Sequence, residues 1–258
     1  MKGIILVFIV GVLISYLLGG LMYSKTIYVY EEDILNAPKM LLEPYSMDIE
    51  NNPNMTRAMV IVPAVDQDGK GVATKLEVQV VPGSGKALVN IDKLLFWVDT
   101  QNSMRTARSV AESVLDINLS DIDIVYTITA NASVVEGPSA GAALTVATVA
   151  ALLGKDVNNS VMITGTINPD GSIGPIGGAL EKATAAKAIG AQTFIVPDGQ
   201  SVDVTFEQRR HCEKIGFADY CTIENVPIRK DISDEAGIPV MEVGDINEAL
   251  DYFLLEED

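Results

Sequence analysis

The chemistry in this chain begins at Val134-Val135-Glu136-Gly137-Pro138-Ser139-Ala140-Gly141, which runs into an apolar stretch ending at Leu153. A glycine and a proline lead into a serine, and the pattern then turns helical. A hydroxyl placed there lies beside backbone N–H groups that the first helical turn leaves unpaired. Such N–H groups can hold a developing oxyanion, so Ser139 is a candidate nucleophile. A serine needs a base. The chain has one histidine, His211, and it stands in a weakly patterned polar segment. The stronger candidate is Lys182, in Gly177-Gly178-Ala179-Leu180-Glu181-Lys182-Ala183-Thr184-Ala185-Ala186. Lysine works as a base only when neutral, which requires burial. The alanines around Lys182 at helical spacing are small enough to bring it close to other backbone and strip it of water. Lys187, further along, is more easily solvated.

These residues need elements to hold them. Ala58–Val65 and Gly71–Val81 read as strands, and Ala87–Ile91 as a third, an antiparallel opening turned by Pro82-Gly83-Ser84-Gly85. Thr100 is placed to cap a helix to Asp116, with Ala107, Val110, Ala111 and Val114 as its apolar face. A strand over Ile122–Thr129 precedes the Ser139 turn and its helix. Then come a strand at Ser160–Gly165, a tight turn at Asn168–Gly171, a helix from Gly177 to Ile189 and a strand at Thr193–Val196. The pattern weakens over 198–238, which reads as a polar insertion or flap with a helix over 204–214. Pro239–Val243 is a last strand, and Asp245 caps a last helix. Strands first, then strand–helix alternation, predict an α+β domain with a mixed sheet over 56–258.

The amino terminus has a different character. Ile4–Met22 is apolar and about long enough to span a bilayer, with Tyr23, Tyr28 and Tyr30 following as interfacial aromatics often do. Residues 1–23 are expected to be a single transmembrane anchor, or alternatively a cleaved signal peptide. Residues 24–55 read as a linker or stalk. Lys2 before the span weakly favours a domain outside the cytoplasm; signal cleavage would leave it secreted.

A net charge of −17 argues against nucleic-acid binding, because phosphate contacts need a basic surface. No G-x-x-x-x-G-K-[ST] occurs, so no Walker-type nucleotide site is expected. HExxH zinc sites are impossible with one histidine, and no cofactor is expected. Cys212 and Cys221 could form a local disulfide in an oxidising compartment or remain two thiols.

One ordered set of motifs goes further. Gly137-Pro138-Ser139-Ala140-Gly141, Thr164-Gly165, Gly171-x-Ile173-x-Pro175-Ile176-Gly177-Gly178, Glu181-Lys182 and Val196-Pro197 together resemble the proteolytic domain of the Lon protease family. Within that family the chain resembles the archaeal membrane-bound or exported Lon-like serine proteases that lack the ATPase module. The resemblance implies a Ser–Lys dyad in which Ser139 is the nucleophile and Lys182 the general base. It places Thr164 in support of the lysine, and Gly137 and Pro138 in the turn that shapes the site. Glu136, just before that turn, could orient the site or be a solvated loop carboxylate. The implied function is a membrane-anchored, ATP-independent serine endopeptidase for unfolded or flexible protein segments. The family's rings of six make a homo-oligomer an expectation too. Two other readings stay open: a non-catalytic, membrane-anchored binding or scaffold module on the same fold, and a phosphate-binding glycine turn as in small-molecule kinases.

Overall fold

The computed structural model describes residues 55–65, 71–90, 95–96, 98–130, 134–135 and 137–254. The expected anchor at 1–23, the stalk as far as residue 54, and Glu136 lie outside the described residues. No helix among the described residues is long and apolar enough to cross a membrane.

Strands β1 (Thr56–Val65) and β2 (Gly71–Pro82) pair antiparallel, with Val60 opposite Leu76. Their alternation puts Ala58, Val60 and Val62, and Leu76, Val78 and Val80, into the core. β2 pairs antiparallel with β5 (Ile122–Ala130). The short β3 (Ala87–Asn90) lies on the far side of β5 and runs parallel to it.

That position corrects the expectation of a simple antiparallel opening. Asp123 on β5 accepts the backbone N–H groups of Ser84 and Lys86 at 2.7 and 2.8 Å. The Lys86 carbonyl in turn accepts Ile124 N–H at 2.8 Å. The turn is therefore anchored on β5 instead of folding back on β2. Burial opposes the Asp123 charge, but these backbone hydrogen bonds outweigh it and hold its carboxyl below the usual range.

Helix α1 (Val98–Leu115) begins two residues before the expected cap. Thr100 is buried inside it, and its hydroxyl reaches the Gly137 carbonyl at 3.4 Å. β4 (Leu95–Phe96) and β6 (Val134–Val135) form a short parallel pair just before the Ser139 turn.

Helix α2 (Gly141–Leu153) is the centre of the domain, and every residue from Gly141 to Ala151 is buried. A helix apolar all round belongs inside. Its two threonines satisfy their hydroxyls locally, Thr145 on the Gly141 carbonyl at 2.9 Å and Thr148 on that of Leu144 at 2.6 Å. Gly154, in the left-handed region, ends the helix.

Around α2 the chain alternates. β7 (Val161–Ile163), β10 (Thr193–Pro197) and β13 (Val240–Val243) form a parallel sheet in the order β13-β10-β7. β8 (Thr166–Ile167) and β9 (Ile173–Gly174) make a small hairpin, and α3 (Ala179–Ala188) follows. Helices α4 (Ile232–Ala236) and α5 (Ile246–Phe253) complete the domain, with Asp245 capping α5 through the N–H groups of Asn247 and Glu248. The domain is mixed α/β.

The segment expected to hold a helix over 204–214 is strand instead. β11 (Val202–Ile215) and β12 (Ala218–Asp231) pair through fourteen rungs, from Val202 opposite Asp231 to Ile215 opposite Ala218. Glu, Gln, Arg and Lys give 204–214 a fair local helix propensity, but a partner strand in register overrides it. Cys212 and Cys221 are directly opposite and joined as a disulfide.

Candidate active site

Ser139 sits in the turn between β6 and α2. Gly137 holds φ at +96°, a value that suits glycine, and the Gly141 N–H closes the turn on the Pro138 carbonyl at 3.0 Å. Among the described residues, neither the Ser139 nor the Ala140 N–H donates to another backbone group. The Ser139 carbonyl, by contrast, is fully used. It accepts the Gly165 N–H at 2.9 Å and the Thr164 hydroxyl at 3.2 Å. The Ala142 N–H returns a bond to the Gly165 carbonyl at 3.0 Å. The turn is thus laced to the chain leaving β7. Glycine is needed in that lacing: a Cβ on Gly141 would stand 2.8 Å from the Ile167 backbone nitrogen, and one on Gly165 would stand 2.4 Å from the Ile173 side chain.

Lys182 arrives on the first turn of α3. Gly178, in the left-handed region at φ +68°, starts that helix, and the Lys182 N–H bonds its carbonyl at 3.0 Å. Ala183, Ala185 and Ala186 are buried with it, and the lysine itself is only 8% exposed. Nζ points to the fully buried Thr164, whose Oγ1 it meets at 3.4 Å. Among the described residues no carboxylate pairs with it. Burial lowers its pKa from the ordinary 10.5 to about 8.

The Thr164 hydroxyl has one hydrogen, and a carbonyl can only accept, so that hydrogen goes to Ser139. The Thr164 oxygen is then left as an acceptor facing Nζ. A lysine that donates one N–H to Thr164 retains, once neutral, a lone pair for another partner. Among the described residues no direct hydrogen bond joins Ser139 Oγ to Lys182 Nζ. The two residues instead line one open groove of about 500 Å³, with Gly137, Pro138, Thr166, Pro175, Ile176 and Gly177.

The structure therefore gathers Gly137, Pro138, Ser139, Thr164 and Lys182 in one place. His211 is exposed on the β11–β12 ribbon beside Glu213 and does not line the groove. Cys212 and Cys221 are on the same ribbon. Lys187 is exposed, as its more solvated reading requires. Two contributors carry no sequence signal of a part in the site: Thr100, legible only as a helix cap, which reaches the Gly137 carbonyl, and Gln200, whose side-chain amide bonds both backbone groups of Ile176. A lone threonine in a helix or glutamine in a turn has no spacing to betray it.

A serine on a helix-entry turn and a buried lysine of lowered pKa in one groove, on a mixed α/β domain, form a site suited to acyl transfer. The comparisons with known proteins agree on what kind of domain this is. Residues 68–226, more than half of the chain, match the Lon protease (S16) C-terminal proteolytic domain, and the chain belongs to that family. It is 29% identical over 235 residues to a Lon protease of Mycoplasma mobile, covering 87% of this chain and 28% of that protein. It is 33% identical over 144 residues to an archaeal Lon protease of Methanocaldococcus jannaschii, covering 53% of this chain and 22% of that protein. A Lon protease of Chloroflexus aggregans is 31% identical over 157 residues, 55% of this chain and 19% of that protein. The chain thus spans between 19% and 28% of the length of these relatives.

Proposed function

We propose that this protein is a membrane-anchored serine endopeptidase that hydrolyses peptide bonds of unfolded or flexible protein segments without ATP. The observation that carries the reading is the shared groove of Ser139 and a buried Lys182, linked through Thr164.

Neutral Lys182 takes the proton from Ser139 Oγ as that oxygen attacks the substrate carbonyl carbon. The carbonyl π electrons move to oxygen, and the resulting charge is received by the Ser139 and Ala140 N–H groups, which donate to no backbone group among the described residues. The C–N bond then breaks. Lys182, now protonated, gives its proton to the leaving amine and returns to the neutral form. Water attacks the acyl–Ser139 ester and loses a proton to Lys182; the ester C–O bond then breaks, Lys182 returns that proton to Ser139 Oγ, and the acid product leaves. A pKa of about 8 keeps roughly a tenth of Lys182 neutral at pH 7 by the ordinary titration relation.

Three features support the finer parts of the reading. The apolar run Ile4–Met22 suits an anchor. The bonded Cys212–Cys221 pair suits a domain facing an oxidising compartment, outside the cytoplasm. The open groove suits substrates that are already unfolded. Assembly into a ring is part of the proposal through the family alone.

The test uses the full chain in detergent with a denatured, labelled protein as substrate. The parent cleaves it without nucleotide, and Ser139→Ala does not. Cleavage by Ser139→Ala at the parent rate overturns the proposal. A parent that neither cleaves nor reacts with a serine-directed fluorophosphonate points to a binding module instead.

A further inference from the structure

The segment Pro175–Gly178, between β9 and α3, forms one wall of the groove yet can do little to hold itself. Proline lacks an N–H, and the two glycines lack side chains and are backbone-permissive. Among the described residues, Ile176 is the one residue in it that a side chain from elsewhere grips. Gln200 Oε1 accepts the Ile176 N–H at 2.8 Å, and Gln200 Nε2 donates to the Ile176 carbonyl at 2.8 Å. A side-chain amide thus pairs with Ile176 in both directions, as a neighbouring strand would.

The clamp has a firm base. Gln200 N–H bonds the Pro197 carbonyl at 3.1 Å, at the end of β10. The next residue, Ser201, gives its N–H to the Glu242 carboxylate of β13 at 2.7 Å, and its carbonyl accepts the Ile232 N–H of α4 at 2.9 Å. Both strands belong to the parallel sheet, so the amide is fixed by the core and not by the loop it holds.

Both polar groups of Ile176 therefore face Gln200. The polar groups that flank Ile176 on the groove wall are the Pro175 carbonyl and the Gly177 N–H. Among the described residues, neither makes a backbone hydrogen bond. We infer that Gln200 is a positioning residue for substrate: by gripping Ile176 it presents the Pro175 carbonyl and Gly177 N–H as an edge on which an extended peptide pairs. This rests on the peptidase reading above.

The experiment compares the parent full chain with Gln200→Ala and Gln200→Glu on two probes. One is a short unstructured fluorogenic peptide, which needs the edge. The other is a small fluorophosphonate, which reports Ser139 reactivity and needs no extended pairing. Gln200→Ala is expected to raise KM for the peptide about tenfold, as loss of a paired hydrogen bond implies, with kcat, labelling rate and the pH dependence of labelling unchanged. Gln200→Glu keeps the acceptor for Ile176 N–H and loses the donor, so its KM falls between the two. If Gln200→Ala does not fold, the KM of Gln200→Glu decides. An unchanged KM overturns the inference, and so does a parallel loss of labelling and cleavage, which marks a merely structural role. A parent that fails on both probes sinks the peptidase reading instead, and is told apart by that failure.

Discussion

The Thr164 hydroxyl donates to the Ser139 carbonyl at 3.2 Å. That bond fixes the direction of the whole chain of contacts. With its only hydrogen committed, Thr164 offers a lone pair to Lys182 Nζ at 3.4 Å, and one buried hydroxyl serves both halves of the site. The serine is tied by its backbone, and among the described residues its Oγ has no hydrogen-bond partner in the groove.

Replacing Thr164 by valine keeps the shape and removes the hydroxyl. Lys182 then faces an apolar neighbour, and the Ser139 carbonyl keeps only the Gly165 N–H. A fall in kcat/KM of about tenfold is expected, with a stability change of about 1 kcal/mol, the range for one net hydrogen bond. Peptide hydrolysis and thermal melting measure the two. An unchanged kcat/KM would show that Thr164 is a bystander.

Lys182 is also a liability to the fold. Its pKa in the folded chain is about 8, below the ordinary 10.5, so the unfolded chain binds more protons between those two values. Stability from this group is therefore lowest below pH 8 and recovers as pH rises towards 10.5. Lys182→Met removes the buried charge and is expected to be inactive yet more stable at pH 7, by on the order of 3 kcal/mol. The advantage should shrink between pH 8 and 10.5. Denaturant titrations at pH 7 and pH 10 compare the two proteins; a variant that is less stable at both would mean the lysine is not held at a cost.

The disulfide belongs to the ribbon and not to the core. Cys212 and Cys221 close a short hairpin loop, and the ribbon meets the body near its base, where Ile232 N–H bonds the Ser201 carbonyl. Replacing both cysteines by serine should speed hydrogen exchange across 202–231 while leaving exchange in α2 and the melting of the core unchanged. Loss of protection in α2 would show that the ribbon is part of the central folding unit.

The sequence made the turn and helix around the site legible, because each is written in neighbouring residues. Gly137-Pro138-Ser139 announces a turn, the small apolar run after it a buried helix, and Gly177-Gly178 a helix start. The alternation of β1, β2 and β5 was equally plain. What stayed hidden depended on partners far along the chain. β3 joins β5 because Asp123 catches a turn some forty residues earlier, and no local pattern announces that. β11 carries helix-compatible residues and becomes a strand only because β12 lies in register with it. Thr100 and Gln200 act through backbone carbonyls and amides, which every residue possesses, so neither leaves a mark in composition or spacing.

The central claim is that Ser139 reacts only while Lys182 is neutral. The measurement that tests it most directly is the rate of Ser139 labelling by a small fluorophosphonate as a function of pH, in the parent and in Lys182→Met. The parent rate should rise with pH through a single midpoint near 8, the value to which burial lowers Lys182, and level off above it. Lys182→Met should label at a small, pH-independent rate while remaining folded. A parent rate that ignores pH between 6 and 10, or a Lys182→Met protein that labels as fast as the parent, would contradict the account.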